Sequence, residues 1–201
     1  MALRRLTFRR LSGLDRSGPP PPETLPGAPL RPWTIPNAIG YVRIACLVAF
    51  LVVALRDENG EGWTQFWLFA AVAWGDSFDG MAARLTGQYS RLGALMDPVI
   101  DRALVISGVI VAYNQELLPR WALLVLAARE ALMLAVGPFY VRKRGELQIT
   151  MLGRWAVWPT MSALALCLVG ADPVDEISLY VGLVMTLGAT AQYVRQASTS
   201  A

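Results

Sequence analysis

Six stretches of the chain run predominantly apolar for about the length of a bilayer crossing, and short polar links separate them. They are Asn37–Leu55, Trp63–Ala83, Gly93–Tyr113, Leu117–Tyr140, Gly153–Gly170 and Ile177–Val194. A helix needs about 20 mostly apolar residues to cross the hydrocarbon core. The pattern therefore predicts an all-α, polytopic membrane protein with six transmembrane helices in one bundle. The second and third stretches carry acidic residues, and hydropathy alone would allow them as buried helices of a soluble domain. Such a domain rarely consists of six apolar stretches on short links, because a lipid-exposed backbone must satisfy its own hydrogen bonds and helices do so.

Composition strengthens the membrane reading. Of 201 residues, 55% are hydrophobic and 16% charged, against roughly 25% charged in soluble domains. The two cysteines, Cys46 and Cys167, fall inside predicted spans without a CxxC pattern and read as small packing residues. The chain has no histidine, which excludes a Ser-His-Asp triad, a His-ligated zinc site and paired-histidine phospholipase D chemistry. Any reaction here must use carboxylates, basic groups, hydroxyls or metal.

Residues 1–31 hold Arg4, Arg5, Arg9, Arg10 and Arg16 followed by Pro19 to Pro22, without an apolar core of signal-peptide length. They are expected to form a disordered basic cytoplasmic tail, with residues 32–198 as the membrane domain. Orientation and attachment to anionic lipid headgroups would be the tail's role. A cytoplasmic tail places Arg84 and Arg91, then Arg142, Lys143 and Arg144, then Arg195 on the same side. The opposite side receives mainly acidic links around Asp57, Glu116 and Asp175. This arrangement obeys the positive-inside rule and puts both termini in the cytoplasm, with the protein multi-pass in the cell (inner) membrane.

Chemistry concentrates in Asp76-Ser-Phe-Asp79-Gly80-Met-Ala-Ala83-Arg84 and Gly93-Ala-Leu-Met-Asp97-Pro-Val-Ile-Asp101. A charge near the centre of a span costs on the order of 2.5–3.5 kcal/mol on insertion scales, so four unneutralised carboxylates would threaten insertion. Asp76 and Asp79 are spaced i,i+3, and Asp97 and Asp101 i,i+4, so each pair projects from one helix face. A short loop makes the two helices antiparallel neighbours, and both pairs can converge near their cytoplasmic ends. An all-oxygen ligand set favours hard cations such as Mg²⁺ or Mn²⁺, and two divalent ions would balance the four charges. Gly80 permits close approach of a ligand to the helix backbone; Arg84 offers a planar fork of donors suited to phosphate.

The order D-xx-DG-xx-AR-x8-G-xxx-D-xxx-D, filled by Asp76, Asp79, Gly80, Ala83, Arg84, Gly93, Asp97 and Asp101, resembles the signature of the CDP-alcohol phosphatidyltransferase family. Ile35-Pro36-Asn37 before the first span is similar to that family's Pro-Asn approach. The resemblance implies a homodimeric enzyme that takes CDP-diacylglycerol, transfers its phosphatidyl group to an alcohol and releases CMP. It implies that Asp76, Asp79, Asp97 and Asp101 ligate the metals, with Asp101 also the general base. Asn37, Gly80, Ala83, Arg84, Ser90 and Gly93 would bind the CDP-lipid. Its partners would be these lipids, not nucleic acid.

The acceptor is less sharply indicated. Arg129, Arg142, Lys143, Arg154 and Arg195 are candidates for an acceptor phosphate, since several cations gathered at membrane level expect an anion. This favours glycerol 3-phosphate. Gly153-Arg154 and Arg129-Glu130 are similar to Gly-Lys and Arg-Glu pairs of phosphatidylglycerophosphate synthases. Arginine in place of lysine at 154, and Arg102 after the last aspartate, depart from them. Two other readings stand: a CDP-dependent cardiolipin synthase using phosphatidylglycerol, and a non-enzymatic membrane cation site. Arg142 to Arg144 also suit a purely topological role. Arg43 is weaker as a site residue, because it does not share a helix face with Asn37.

Overall fold

A computed structural model describes residues 21–25, 27–57, 61–144 and 151–199, with side chains described to 135 and again over 155–192. Thr34 opens the first helix: its carbonyl accepts from Ala38 N–H at 3.0 Å and its hydroxyl from Asn37 N–H at 3.4 Å, with Pro36 in the first turn where no backbone donor is needed. Helix α1 then runs Ile35–Arg56, followed by α2 Trp63–Thr86, α3 Arg91–Asn114, α4 Arg120–Arg144, α5 Met151–Leu166 and α6 Val174–Thr199. A short 3-10 turn, Cys167–Val169, extends α5 to Gly170, whose φ of +63° ends it in the left-handed conformation glycine tolerates. The described residues are all-helical, without strands.

Each helix overlies one predicted span within a few residues. By length and apolar composition alone, α1 and residues Val174–Gln192 of α6 are the two that clearly qualify to cross a membrane. Helices α2 and α3 fall short because of the acids and arginines they carry. Beside a buried apolar core, many large apolar residues lie on the surface, Val99, Val184 and Trp158 among them. All seven tryptophans are more than half exposed, a distribution suited to lipid and its interfaces.

The chain divides into two compact units, one of residues up to Phe50 plus Leu68–Leu104, the other of Leu51–Trp67 plus the chain from Val105. The divisions fall inside α1, α2 and α3. In the first unit Phe50 and Phe69 meet edge to face at 5.5 Å, and Leu47, Val72, Ile100 and Leu104 of the same unit are buried. In the second, Gln115 Nε2 donates to the Ala54 and Asp57 carbonyls, Gln65 Nε2 donates to the Asp57 carboxylate at 2.7 Å, and Gly62 N–H donates to Leu168 O. These bonds tie the end of α1, the start of α2, the end of α3 and the end of α5 together. Helix α6 packs along α5 and meets α4. At the α5–α6 contact a Cβ on Gly182 would stand 2.5 Å from Thr160 Oγ1 and 2.8 Å from its backbone nitrogen. Glycine there lets the two backbones approach closely, the usual device for packing helices in lipid.

Candidate functional site

Every residue of the candidate site from Asn37 to Asp101 lies in the first unit. The α2–α3 connection sets its frame. Helix α2 ends at Gly87, φ +66°, and Ser90 starts α3 as its N-cap, its hydroxyl accepting from Gly93 N–H at 3.0 Å. The same hydroxyl donates to Asn37 Oδ1 at 2.8 Å. Asn37 Nδ2 donates to the Arg31 and Pro32 carbonyls at 2.9 and 3.1 Å, and Gln88 Oε1 accepts from Ile35 N–H. A Cβ on Gly93 would sit 2.8 Å from Asn37 Oδ1, so this glycine leaves room for the knot.

Asn37 and Ser90 are both buried, and their polar groups are spent inside the protein. Their geometry is that of residues pinning the α2–α3 turn to the start of α1. Ser90→Ala is expected to cost about 1–2 kcal/mol of stability, from the lost cap and the lost partner of a buried amide. Thermal unfolding checks this, and an unchanged melting point would show that the knot contributes little.

Below this knot the four aspartates converge on one side chain that sequence reasoning set aside. Arg43, 2% exposed, reaches from α1 between α2 and α3. Its Nη1 lies 2.8 Å from Asp79 Oδ2, 3.7 Å from Asp76 Oδ1 and 3.8 Å from Asp97 Oδ1, and its Nη2 lies 2.9 Å from Asp101 Oδ1. Its Nε donates to the Val72 carbonyl at 3.1 Å. The i,i+3 and i,i+4 spacings thus bring both acid pairs to one point. Asp79 is buried, while Asp76, Asp97 and Asp101 keep 42–48% of their side chains open. Pro98, inside α3 and directly after Asp97, cannot donate to the Ala94 carbonyl one turn earlier. The signal that would have found Arg43 is charge accounting: it is the lone charge in α1 before Arg56, beside helices that carry four acids.

The donor set is the kind a hard divalent cation takes: all carboxylate oxygen, already gathered around a cation, and partly exposed at three of the four acids. Among the described residues no three acids stand as a ready metal cage; each of the four has an oxygen within 3.8 Å of the guanidinium. Gly80 and Arg84 follow one turn on. The Arg84 guanidinium lies over Gly80, 3.5 Å from where a Cβ would be, and Ala83 and Arg84 are half-buried.

The acceptor candidates fare differently. Arg129 is in the second unit, ion-paired with the neighbouring Glu130 and donating from Nε to Thr190 Oγ1 of α6 at 3.3 Å. Its partner requirement is met within the protein. The side chains of Arg142, Lys143, Arg144, Arg154 and Arg195 lie outside the described residues, as does the arginine-rich segment 1–20.

Residues 33–188 match the CDP-alcohol phosphatidyltransferase family, and the chain belongs to that family. It is a phospholipid-synthesising transferase of a membrane-associated family that moves phosphatidyl groups from CDP-alcohol donors and is generally dependent on divalent metal. It is 36% identical over 140 residues, 67% of this chain and 65% of the relative, to a Streptomyces coelicolor protein named cardiolipin synthase (CMP-forming). It is 29% identical over 142 residues, 69% of this chain and 64% of the relative, to a Cereibacter sphaeroides protein named CDP-diacylglycerol--glycerol-3-phosphate 3-phosphatidyltransferase. A Shigella flexneri protein of the latter name is 26% identical over 174 residues, 82% of this chain and 95% of the relative.

Proposed function

We propose that the chain transfers the phosphatidyl group of CDP-diacylglycerol to glycerol 3-phosphate and releases CMP, at the cytoplasmic ends of α2 and α3 in a six-span inner-membrane protein with both termini inside. The observation that carries the reading is the meeting of four carboxylates within 3.8 Å of one buried guanidinium. Four acids drawn together at membrane depth cost too much to serve as packing. Asp76, Asp79, Asp97 and Asp101 would hold two divalent ions, Mg²⁺ or Mn²⁺. Bound there, such ions supply neutralisation of the donor's diphosphate and of the departing CMP.

The chain's own groups do the rest. Arg84, whose guanidinium lies over Gly80, presents its fork to a donor phosphate, and the missing side chain at 80 lets the phosphate come close. Ser90, Gly93 and Asn37 hold the α2–α3 turn that sets the mouth of the site. Asp101, half exposed and fixed through Oδ1 to Arg43, takes the proton from the acceptor hydroxyl as its oxygen attacks the lipid-side phosphorus. The outward tryptophans and the division of charge between the loops support the six-span placement. A homodimer in the membrane, the family's usual form, is part of the same reading.

A second acceptor, phosphatidylglycerol, is favoured by two observations. Identity is higher to the Streptomyces coelicolor protein than to the Cereibacter sphaeroides one, and Arg129 is already paired with Glu130. Incubating the purified protein with CDP-diacylglycerol and either acceptor separates the readings. CMP release with glycerol 3-phosphate is expected, abolished by chelation and restored by Mn²⁺. Release with phosphatidylglycerol alone moves the assignment to cardiolipin synthesis, and release with neither removes the enzymatic reading of these acids.

A further inference from the structure

We infer that Arg43 is a built-in counter-ion that holds the four carboxylates together when no divalent ion is bound. This rests on the reading of the acids as a divalent-cation site. Arg43 is a positioning residue, not one that touches substrate. Three contacts fix its guanidinium: Nε on Val72 O, Nη1 on Asp79 and Nη2 on Asp101, at 3.1, 2.8 and 2.9 Å. The longer approaches to Asp76 and Asp97 leave those two acids attracted but not hydrogen-bonded.

The surroundings are shaped for this side chain. A Cβ on Gly75 would lie 2.7 Å from both Cγ and Cδ of Arg43, so the residue preceding the first aspartate must be small for the stem to pass. A stem held at its far end by three bonds cannot swing aside freely. Without Arg43 the four acids would face one another at membrane depth with nothing between them, and would splay or protonate until metal arrived. Arginine suits the place because it stays charged when buried and reaches two helices with one planar group.

The distinguishing property is that this support matters most when metal is absent. Thermal unfolding of the full-length, detergent-solubilised protein is measured in EDTA and in MnCl₂. Arg43→Gln is expected to lower the melting temperature by roughly 10 °C in EDTA, and by roughly a third of that in Mn²⁺. Arg43→Lys should recover part of the loss, since it restores charge without the fork. In EDTA, adding Asp79→Asn to Arg43→Gln should cost less than the two single losses together, because one repelling acid has gone.

An equal loss for Arg43→Gln in EDTA and Mn²⁺, or strict additivity with Asp79→Asn, overturns the proposal and leaves Arg43 as packing. A wild-type protein indifferent to Mn²⁺ instead counts against the metal reading, and the EDTA double-mutant comparison then decides the counter-ion independently. Should Arg43→Gln fail to accumulate, Gly75→Ala carries the test, since it displaces the stem and keeps the charge. Its melting point should fall in EDTA and recover in Mn²⁺; equal losses in the two conditions overturn the proposal.

Discussion

Asp101→Asn is expected to reduce CMP release by roughly 10³-fold, the scale of losing a positioned general base, while the protein still inserts and purifies as before. The substitution keeps the size of the side chain and a hydrogen-bonding oxygen for Arg43 Nη2, now 2.9 Å from Asp101 Oδ1. What it removes is a charge and the ability to take a proton. The measurement is CMP release from CDP-diacylglycerol with each acceptor, at saturating Mn²⁺ so that weakened ion binding is not mistaken for lost base. Synthesis at the parental rate would remove Asp101 from the chemistry and leave it as a ligand or partner of Arg43 alone.

Gly182→Leu is expected to be the most damaging single change away from the site, costing about 3 kcal/mol and lowering the melting temperature by about 8 °C. A first side-chain carbon at 182 already meets the Thr160 backbone nitrogen at 2.8 Å and its Cα at 3.1 Å. Backbone cannot rotate away as a side chain can, so α5 and α6 must separate. Since α6 also meets α4, and Thr190 on it accepts from Arg129, the disturbance should spread beyond the contact. Differential scanning fluorimetry in detergent reads the loss. A melting point unchanged within a degree would show that the helices do not rely on this approach.

Much of the architecture was legible because apolar length and loop chemistry decide it. The start of α1, the end of α2, the start of α3 and the end of α5 fall where apolar runs meet Thr34, Gly87, Ser90 and Gly170, residues whose capping or turning chemistry is local. The convergence of Asp76, Asp79, Asp97 and Asp101 was equally readable, since i,i+3 and i,i+4 spacing on two antiparallel neighbours leaves few other arrangements. What the spacing could not reveal was a third helix in the same place. Arg43 and Asn37 point to different faces of α1, yet both are buried: Asn37 in the Ser90 knot, Arg43 among the acids. A face-sharing argument between those two residues was therefore the wrong test.

The roles of Asn37, Ser90 and Gly93 were hidden for a related reason. A motif position can serve a ligand or the loop that frames it, and residue type does not separate the two. Their hydrogen bonds and the space at Gly93 speak for the frame. Gly182 gave no warning at all. It is an ordinary glycine in an apolar run until Thr160 is seen against it.

The position of Arg43 on α1 also bears on how the chain is made. Helix α1 precedes α2 and α3 in the chain, so the helix with the cation is translated before the two with the acids it meets. Helix α1 is apolar enough to enter the bilayer with one arginine aboard, at a cost on the order of 2.5–3.5 kcal/mol. On the proposed six-span placement, helices α2 and α3 bring two carboxylates each and would enter a membrane that already holds their partner. Biosynthetic order thus delivers the neutralising charge before the charges that need it, and a rearranged gene translating α2 and α3 ahead of α1 would send four acids into lipid unaccompanied.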